Sequence, residues 1–216
     1  IDMWSSWRQK NFEYYKKNLP DLTDKILVDL GAGDRQFRII LDTAKKYIGV
    51  DFRPYEGVDV ISDLTKPIPL PDSIADVVFI SNTLEHIPMP TVLLAEAYRI
   101  LKPGGTIIGT VPFLREVHQE PYDFLRYTNF MLVRILDDTR FQDIVITPIG
   151  TPLDVFRMIQ QRFFSHIISY NGGIFRVRLA RKAFFLLTRV LEPLLDCCKE
   201  KSEFTEGYGF RAIKPI

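Results

Sequence analysis

The chain has 216 residues, of which 46% are apolar, 12% aromatic and 25% charged. This composition is typical of a globular protein with a sizeable core, and it excludes a disordered or fibrous chain. The 28 Lys and Arg residues against 27 Asp and Glu residues leave a net charge of +1. The overall charge therefore gives no reason to expect a nucleic-acid partner.

Length and cysteine content bound the protein further. A chain of this length favours one domain over residues 1–216. Its two cysteines, Cys197 and Cys198, are adjacent, which favours a reducing compartment and matches no metal-ligand spacing. No apolar run approaches the roughly 18 residues of a membrane-spanning helix. We therefore expect a cytoplasmic protein, and the sequence predicts no metal site.

The first two thirds of the chain alternate predicted helices with short, buried strands. Aromatic residues recur at helical spacing over residues 4–19, and Pro20 ends that helix. The following elements are, in chain order, strand 25–30, helix 34–45, strands 47–51, 58–62 and 75–80, helix 90–101, strand 106–111, helix 129–138 and strand 141–147. This alternation predicts an α/β fold with a largely parallel sheet, and it places ligand sites beyond the carboxyl ends of the strands.

The last third of the chain has a different pattern. It is helical in periodicity and rich in Phe, Leu and Arg, until residues 208–213 offer one further alternating strand. We therefore predict an insertion ahead of the final strand.

A glycine turn follows the first predicted strand and indicates a cofactor site. Gly31 and Gly33 allow close backbone approach at the point where a strand turns into a helix. Asp51 ends the second strand twenty residues after Gly31, where its carboxylate could accept hydrogen bonds from ribose hydroxyls. A dinucleotide fingerprint needs glycine at position 36, where this chain has Gln36, so NAD and FAD are disfavoured. S-adenosyl-L-methionine has no phosphate and tolerates a bulkier residue there.

Five ordered motifs together resemble those of the class I S-adenosylmethionine-dependent methyltransferases, in particular the type 11 group. They are Val28–Asp34, Tyr47–Asp51, Ser62–Leu64, Asp76–Ile87 and Arg99–Thr106. The resemblance covers residues 25–148 and the closing strand. It implies a Rossmann-like seven-stranded methyltransferase sheet with helices on both faces and a helical insertion before the last strand.

The resemblance also implies a role for individual residues and segments. Cofactor-binding positions would be Gly31 and Gly33 under the methionine part, Asp51 on the ribose, Phe52 against adenine, Asp63 and Leu64 at the adenine edge, and Ser81 at the methionine portion. The segments would be an N-terminal helix (1–20), a cofactor-binding core (21–148), a helical insertion or lid (149–206) and a last strand (207–216). Arg35 stands where many members have a third glycine, so it would either contact the cofactor carboxylate or point to solvent.

A loop over residues 118–128 carries the candidate catalytic groups. It matches an H-x-x-P-x-D-F-x-R-Y-T pattern associated with bacterial surface-glycan methyltransferases. Methylation of a hydroxyl needs a proton acceptor, which His118 could supply with Asp123 orienting it. His86 is the second candidate base. Arg126 and Tyr127 would bind the substrate, or, with Asp123, hold the loop together.

A helical pattern over residues 174–195 combines a broad apolar face with arginines and lysines. This pattern predicts either an interfacial helix at the inner face of a membrane or a packed substrate lid or dimer surface. The oligomeric state is open.

The sequence therefore predicts an S-adenosylmethionine-dependent methyltransferase that O-methylates a saccharide or a lipid-linked glycan. Two alternatives are a methyltransferase of a small metabolite or quinone-like lipid, and a non-catalytic cofactor-binding protein of the same fold. An oxidoreductase is a more distant possibility. The expected partner is a small-molecule or glycan acceptor.

Overall fold

A computed structural model describes residues 5–170, 182, 184, 186, 189 and 204–216, with only the backbone described over 166–170. The helices are α1 (Ser6–Asn18), α2 (Arg38–Leu41), α3 (Pro90–Ile100), α4 (Asn129–Asp138) and α5 (Pro152–Tyr170). A short 3₁₀ turn spans Leu84–His86. The strands are β1 (Ile26–Leu30), β2 (Lys46–Asp51), β3 (Val60–Ile61), β4 (Ala75–Ser81), β5 (Leu101–Pro112), β6 (Gln142–Ile149) and β7 (Gly207–Ile213).

The strands form one seven-stranded sheet in the order β3-β2-β1-β4-β5-β7-β6. Pairing is parallel from β3 through β5, and β7 runs antiparallel to both β5 and β6. The carboxyl ends of β1 to β5 therefore meet at one edge of the sheet, where ligands bind in folds of this kind. The predicted Rossmann-like sheet is confirmed, including the last strand.

Two apolar layers cover the sheet because successive strand residues point to opposite faces. Val28, Val78 and Ile107 pack with α3 and α4 in one buried cluster. Leu27, Val77 and Ile108, each one residue away in sequence, pack with α1 and α2 on the other side. The two faces together bury most of the large aliphatic residues of the strands, so helices do lie on both faces as predicted.

The second helix is much shorter than predicted. The sequence predicted helix over residues 34–45, whereas α2 covers only Arg38–Leu41. Gly33 and Arg35 have φ angles of +51° and +53°, in the left-handed region that an α-helix cannot include. The helix therefore starts only after Arg35, once the chain returns to right-handed backbone.

The segment between β6 and β7 forms a unit of its own. The chain divides into one compact unit of Ile1–Ile149 with Gly207–Ile216 and another of Gly150–Glu206. The sequence predicted an insertion over 149–206, and its role as an insertion or lid stays a prediction. The second unit contains α5, and the hydroxyl of Thr205 donates to the carbonyl of Gly150 at its base.

The proposed interfacial helix lies largely outside the described residues. Of residues 174–195, the structure describes 182, 184, 186 and 189. Among the residues that are described, no helix is both long enough and apolar enough to cross a bilayer. The expected membrane contact remains a prediction.

Candidate active site

The glycine turn after β1 and the carboxylate of Asp51 are held together. The backbone N–H of Gly31 donates to the carbonyl of Val50 at 2.8 Å, and that of Gly33 donates to Oδ2 of Asp51 at 2.9 Å. Gly31 and Gly33 both have positive φ angles, +88° and +51°, which glycine adopts without a steric penalty. The requirement for glycine is strongest at Gly31, where an added Cβ would also collide with the Thr83 side chain.

Asp51 presents a buried carboxylate at the end of β2. Its second oxygen, Oδ1, accepts from the backbone N–H of Arg53 at 3.0 Å, and the residue is 5% exposed. Each carboxylate oxygen has two lone pairs, so acceptor capacity remains on both oxygens. This geometry suits a ligand with two adjacent hydroxyls, as the ribose assignment requires.

The predicted adenine-side residues lie at the same edge. Phe52 directly follows Asp51 and is 57% exposed, so its ring is available to a ligand. Asp63 follows β3 and accepts from the N–H and the hydroxyl of Thr65; these bonds lower the pKa of its carboxyl. Leu64 is buried and packs in the core, which leaves its backbone as the group that could face a ligand. Their cofactor roles stay predictions.

Helix α1 is fixed to the ends of β4 and β5. The indole of Trp7 donates to Oδ1 of Asn82 at 3.1 Å, and the hydroxyls of Tyr15 and Thr110 form a buried hydrogen bond of 2.7 Å. Ser81, the last residue of β4, lies 3.4 Å from the Thr110 hydroxyl through its Oγ. These contacts place the amino-terminal helix beside the predicted methionine end of the site.

Two observations show that this edge fits a bound molecule. A Cβ added to Gly33 would meet no atom within 4 Å, so the turn borders open space.

Asn11 lies four residues from both Trp7 and Tyr15 on α1, hence on the same helical face. It is fully buried, and neither its Oδ1 nor its Nδ2 has a hydrogen-bond partner among the described residues. An unpaired buried amide is costly, and a polar ligand would relieve that cost. Sequence reasoning missed Asn11, because an Asn in an amphipathic helix carries no local signal.

Arg35 contacts protein groups in the structure, and its role toward the cofactor stays a prediction. Its guanidinium lies 4.2 Å from the centre of the Tyr47 ring and pairs with Asp42. A Cβ on Gly57 would collide with the Arg35 side chain, so glycine at that position makes room for it. The Arg35 side chain therefore packs against Tyr47, Asp42 and Gly57, contacts that a third glycine could not make.

The loop after β5 is held together by Arg126. Its guanidinium forms a bidentate pair with Asp123 and also donates to the carbonyls of Glu116 and Leu125 at 2.8 Å each. Tyr127 is 2% exposed and donates its hydroxyl to the carbonyl of Leu84 at 2.9 Å. These contacts agree with the alternative in which Asp123, Arg126 and Tyr127 hold the loop together. Substrate binding by Arg126 and Tyr127 remains an untested prediction.

His118 and Asp123, the predicted base and its orienting group, are in contact. His118 Nδ1 lies 3.2 Å from Oδ2 of Asp123, and the backbone N–H of His118 donates to the same oxygen at 2.8 Å. The Arg126 guanidinium holds the pKa of the Asp123 carboxyl well below its usual range. Asp123 is therefore ionised near neutral pH and orients His118 with Nε2 directed away from it.

Glu85 joins the two histidines, and sequence reasoning missed its part in the site. Its Oε1 lies 3.9 Å from Nε2 of His86 and 3.9 Å from Nε2 of His118, and we call these three residues the histidine–glutamate cluster. Glu85 is fully buried, and burial raises the pKa of its carboxyl to about 8. Burial likewise lowers the pKa of His86. The available signal was its position shortly after the end of β4, at the sheet edge where the segment after β5 carries His118.

Comparison with known proteins matches part of the chain to a described family. Residues 28–109 match the family model described as a methyltransferase domain. A methyltransferase of Mycolicibacterium smegmatis, described as S-adenosylmethionine-dependent, is 25% identical over 116 residues, which are 49% of this chain and 45% of that protein. The matched stretch covers less than half of the curated relatives.

Solved structures share the fold. A S-adenosylmethionine-dependent methyltransferase from Archaeoglobus fulgidus aligns with a TM-score of 0.64 and 19% identity, over 96% of this chain and 94% of that one. Phosphoethanolamine N-methyltransferase 2 of Haemonchus contortus, solved with S-adenosyl-L-methionine, aligns with a TM-score of 0.59 and 19% identity, over 97% of this chain and 53% of that one. Residues 28–109 therefore match a methyltransferase domain, on a fold shared with solved methyltransferases, and these similarities support S-adenosylmethionine as the cofactor.

Proposed function

We propose that this protein transfers a methyl group from S-adenosylmethionine to a hydroxyl oxygen of a saccharide, either free or lipid-linked. The observation that carries the proposal is the position of His118. Its oriented imidazole follows β5, at the sheet edge where the glycine turn and Asp51 follow β1 and β2. The likeness of its loop to that of bacterial surface-glycan methyltransferases supports a saccharide acceptor.

The residues that would hold the cofactor are Gly31, Gly33, Asp51 and Ser81, with Asn11 as an additional donor or acceptor. When bound, the cofactor supplies the methyl group of its sulfonium, so that a C–S bond breaks as a C–O bond forms. Alignment of the hydroxyl with that methyl group and exclusion of water contribute most of the rate.

His118 would take the proton of the acceptor hydroxyl. Nδ1 faces two acceptors, the Glu116 carbonyl at 3.3 Å and the Asp123 carboxylate at 3.2 Å, so it carries the proton and leaves the lone pair on Nε2. Nε2 can then accept the proton of the hydroxyl as the oxygen becomes bonded to carbon. The Asp123 carboxylate then stabilises the imidazolium that forms, and the proton leaves to solvent. Arg126 keeps Asp123 in place for this purpose.

Two variants separate cofactor binding from chemistry. Asp51→Ala removes the acceptor of the ribose hydroxyls, so calorimetry should show an affinity loss of about 1–3 kcal/mol for S-adenosylmethionine. His118→Ala should bind the cofactor normally and lower turnover by roughly 10²–10⁴. His166→Ala, which changes the remaining histidine of the chain, is the matched control and should change neither.

Product identity tests the acceptor class. Mass spectrometry should find one added methyl group on free or lipid-linked saccharides, and not on small metabolites such as phenols or on quinone-like lipids. Methylation of the latter group alone would contradict the saccharide acceptor. Unchanged turnover in His118→Ala would show that another group accepts the proton, with His86 the next to test.

A further inference from the structure

The histidine–glutamate cluster has the composition of a metal site. Glu85, His86 and His118 each offer a ligand atom, and these three atoms all lie within 4.8 Å of one another. The centroids of the two imidazole rings are 5.0 Å apart, and the ring planes are inclined to each other by 75°. One carboxylate oxygen and two imidazole nitrogens therefore converge on one small volume.

The buried atoms of this cluster lack hydrogen-bond partners in the part of the chain that the structure describes. Glu85 has no exposed surface, and neither of its carboxylate oxygens has a hydrogen-bond partner among the described residues. The same is true of His86 Nε2. A carboxylate is rarely buried without a hydrogen bond or a counter-charge. A cation between these atoms would satisfy both groups at once.

The outer nitrogen of each imidazole is engaged in the way that metal-bound histidines require. His86 Nδ1 lies 2.6 Å from the carbonyl oxygen of Tyr122, so this nitrogen carries the proton and donates it. His118 Nδ1 lies 3.3 Å from the carbonyl oxygen of Glu116 and 3.2 Å from the Asp123 carboxylate. Metal-binding histidines characteristically donate their second N–H to a carboxylate or a carbonyl, which fixes the tautomer with the lone pair on Nε2. Both lone pairs are consequently available on the side of Glu85.

We propose that Glu85, His86 and His118 bind one divalent transition-metal ion of the zinc class. Two imidazoles and one carboxylate suit such ions, whereas Mg²⁺ and Ca²⁺ prefer sites made of oxygen ligands. A tetrahedral ion with bonds of about 2.0–2.2 Å separates its ligand atoms by roughly 3.3–3.6 Å. The 3.9 Å separations in the structure would shorten slightly on binding. Three protein ligands leave a fourth position open.

The spacing in sequence gave no sign of this site. His118 is 32 residues from His86, and the two come together because β4 and β5 are adjacent parallel strands whose following segments meet at one edge. The 3₁₀ turn carries Glu85 and His86 to this edge directly after β4. The site is therefore a product of the topology.

The ion has one consequence that depends on the proposed function. It would occupy the lone pair of His118 Nε2, which the methyl-transfer proposal uses to accept a proton. Ion and proton therefore compete, and the loaded protein should transfer methyl groups more slowly than the ion-free protein. Ion binding itself does not depend on the methyl-transfer proposal.

Binding can be measured without any activity. Protein free of an affinity tag and treated with a chelator is titrated with Co²⁺ and followed by visible absorption, then with Zn²⁺ in competition. We expect one equivalent to bind, and Mg²⁺ not to displace it. Glu85→Gln and His118→Gln should each weaken Zn²⁺ binding by more than the 10- to 100-fold that loss of an outer partner costs. Glu120→Gln and His166→Gln, which change an exposed glutamate of the same loop and the remaining histidine, should bind as the parent does.

Several outcomes would overturn the inference. The inference is wrong if the parent protein binds neither Co²⁺ nor Zn²⁺. It is also wrong if Glu85→Gln and His118→Gln both bind Zn²⁺ with the affinity of the parent, or if His166→Gln loses binding. Cofactor affinity shows whether each variant is folded; should Glu85→Gln fail to fold, His118→Gln, whose change lies on a loop, decides.

Activity then separates this inference from the proposed function. Slower turnover on Zn²⁺ addition, reversed by a chelator, supports both. Faster turnover of the loaded protein supports the ion site and overturns proton acceptance by His118. If no ion binds and His118→Ala still lowers turnover, the ion site is wrong and the proposed function stands.

Discussion

At the scale of single residues, buried carboxyl groups distinguish this protein from an ordinary α/β core. Asp29 points from β1 into the layer occupied by α1 and α2, and it accepts a hydrogen bond from the Tyr47 hydroxyl at 2.8 Å. Burial raises the pKa of its carboxyl from 3.8 to about 7, and the nearby Asp51 acts in the same direction. The folded protein therefore retains a proton on Asp29 at a pH at which the unfolded chain has released it.

This retained proton makes stability depend on pH with a definite sign. Between about pH 4 and pH 7 the folded state binds more protons at Asp29, so the contribution of this residue to the free energy of unfolding falls as pH rises through this window. Asp29→Asn stays neutral and lacks this contribution. The variant should gain about 2 kcal/mol relative to the parent between pH 5 and pH 8, as measured by urea unfolding.

A matched variant isolates the effect of burial. Asp138→Asn changes a carboxyl at the exposed end of α4, whose side chain is 61% exposed. Its stability difference from the parent should stay constant over the same pH range. A constant difference for Asp29→Asn as well would mean that Asp29 ionises normally in the folded protein.

At the residue scale, the sequence predicted some residues of the candidate site and missed others. The spacing of twenty residues related Asp51 to Gly31 of the glycine turn, and the structure joins Asp51 to the same turn by a hydrogen bond of 2.9 Å from Gly33. The strand order makes such pairings predictable, since parallel neighbours end at the same edge. Glu85 and Asn11 were missed because their importance rests on burial without a partner, which is a property of packing and not of local sequence.

At the scale of elements, hydrophobic periodicity located most helices and strands. Helix α4 has the predicted bounds, 129–138, and it begins with a Thr128 side chain that caps the N–H of Met131. Strand β5 starts at Leu101, five residues before the predicted strand, because its first residues pair with β4 across an irregular register. Pro103 and Gly104 suggested a loop there; tertiary pairing overrides this local signal.

Helix α1 offers a direct test of how an element is attached to the site. Tyr15→Phe removes the hydroxyl that bonds to Thr110 and leaves the aromatic ring, which packs against Phe37 and Phe79. Because the bond is fully buried, its loss should lower the free energy of unfolding by about 1–2 kcal/mol, measured by urea unfolding.

The control for this variant is another tyrosine. Tyr55→Phe changes a residue that is 39% exposed and should leave stability unchanged within about 0.5 kcal/mol. Equal stability of Tyr15→Phe and the parent would show that packing alone, without the Thr110 bond, holds α1 on the sheet.

At the scale of the whole molecule, the hydrophobic core is formed by the sheet and the helices that pack on it. Both buried clusters consist of residues from the unit formed by Ile1–Ile149 and Gly207–Ile216. The chain leaves this unit after Ile149 and returns at Gly207, and these two residues are direct partners in the β6–β7 pairing. An insertion between paired strand ends can be removed without lengthening any connection.

The last prediction follows from this pairing. Replacing residues 150–206 by Asn-Gly would join β6 to β7 through a two-residue turn, the connection that best fits the twist of antiparallel strands. Since none of the clustered core residues is deleted, the shortened chain should unfold cooperatively and bind S-adenosylmethionine with the affinity of the parent, by calorimetry. The same chain with Asp51→Ala serves as the control and should bind more weakly. A shortened chain that stays unfolded, or that folds but does not bind the cofactor, would show that the insertion takes part in the fold or in the cofactor site.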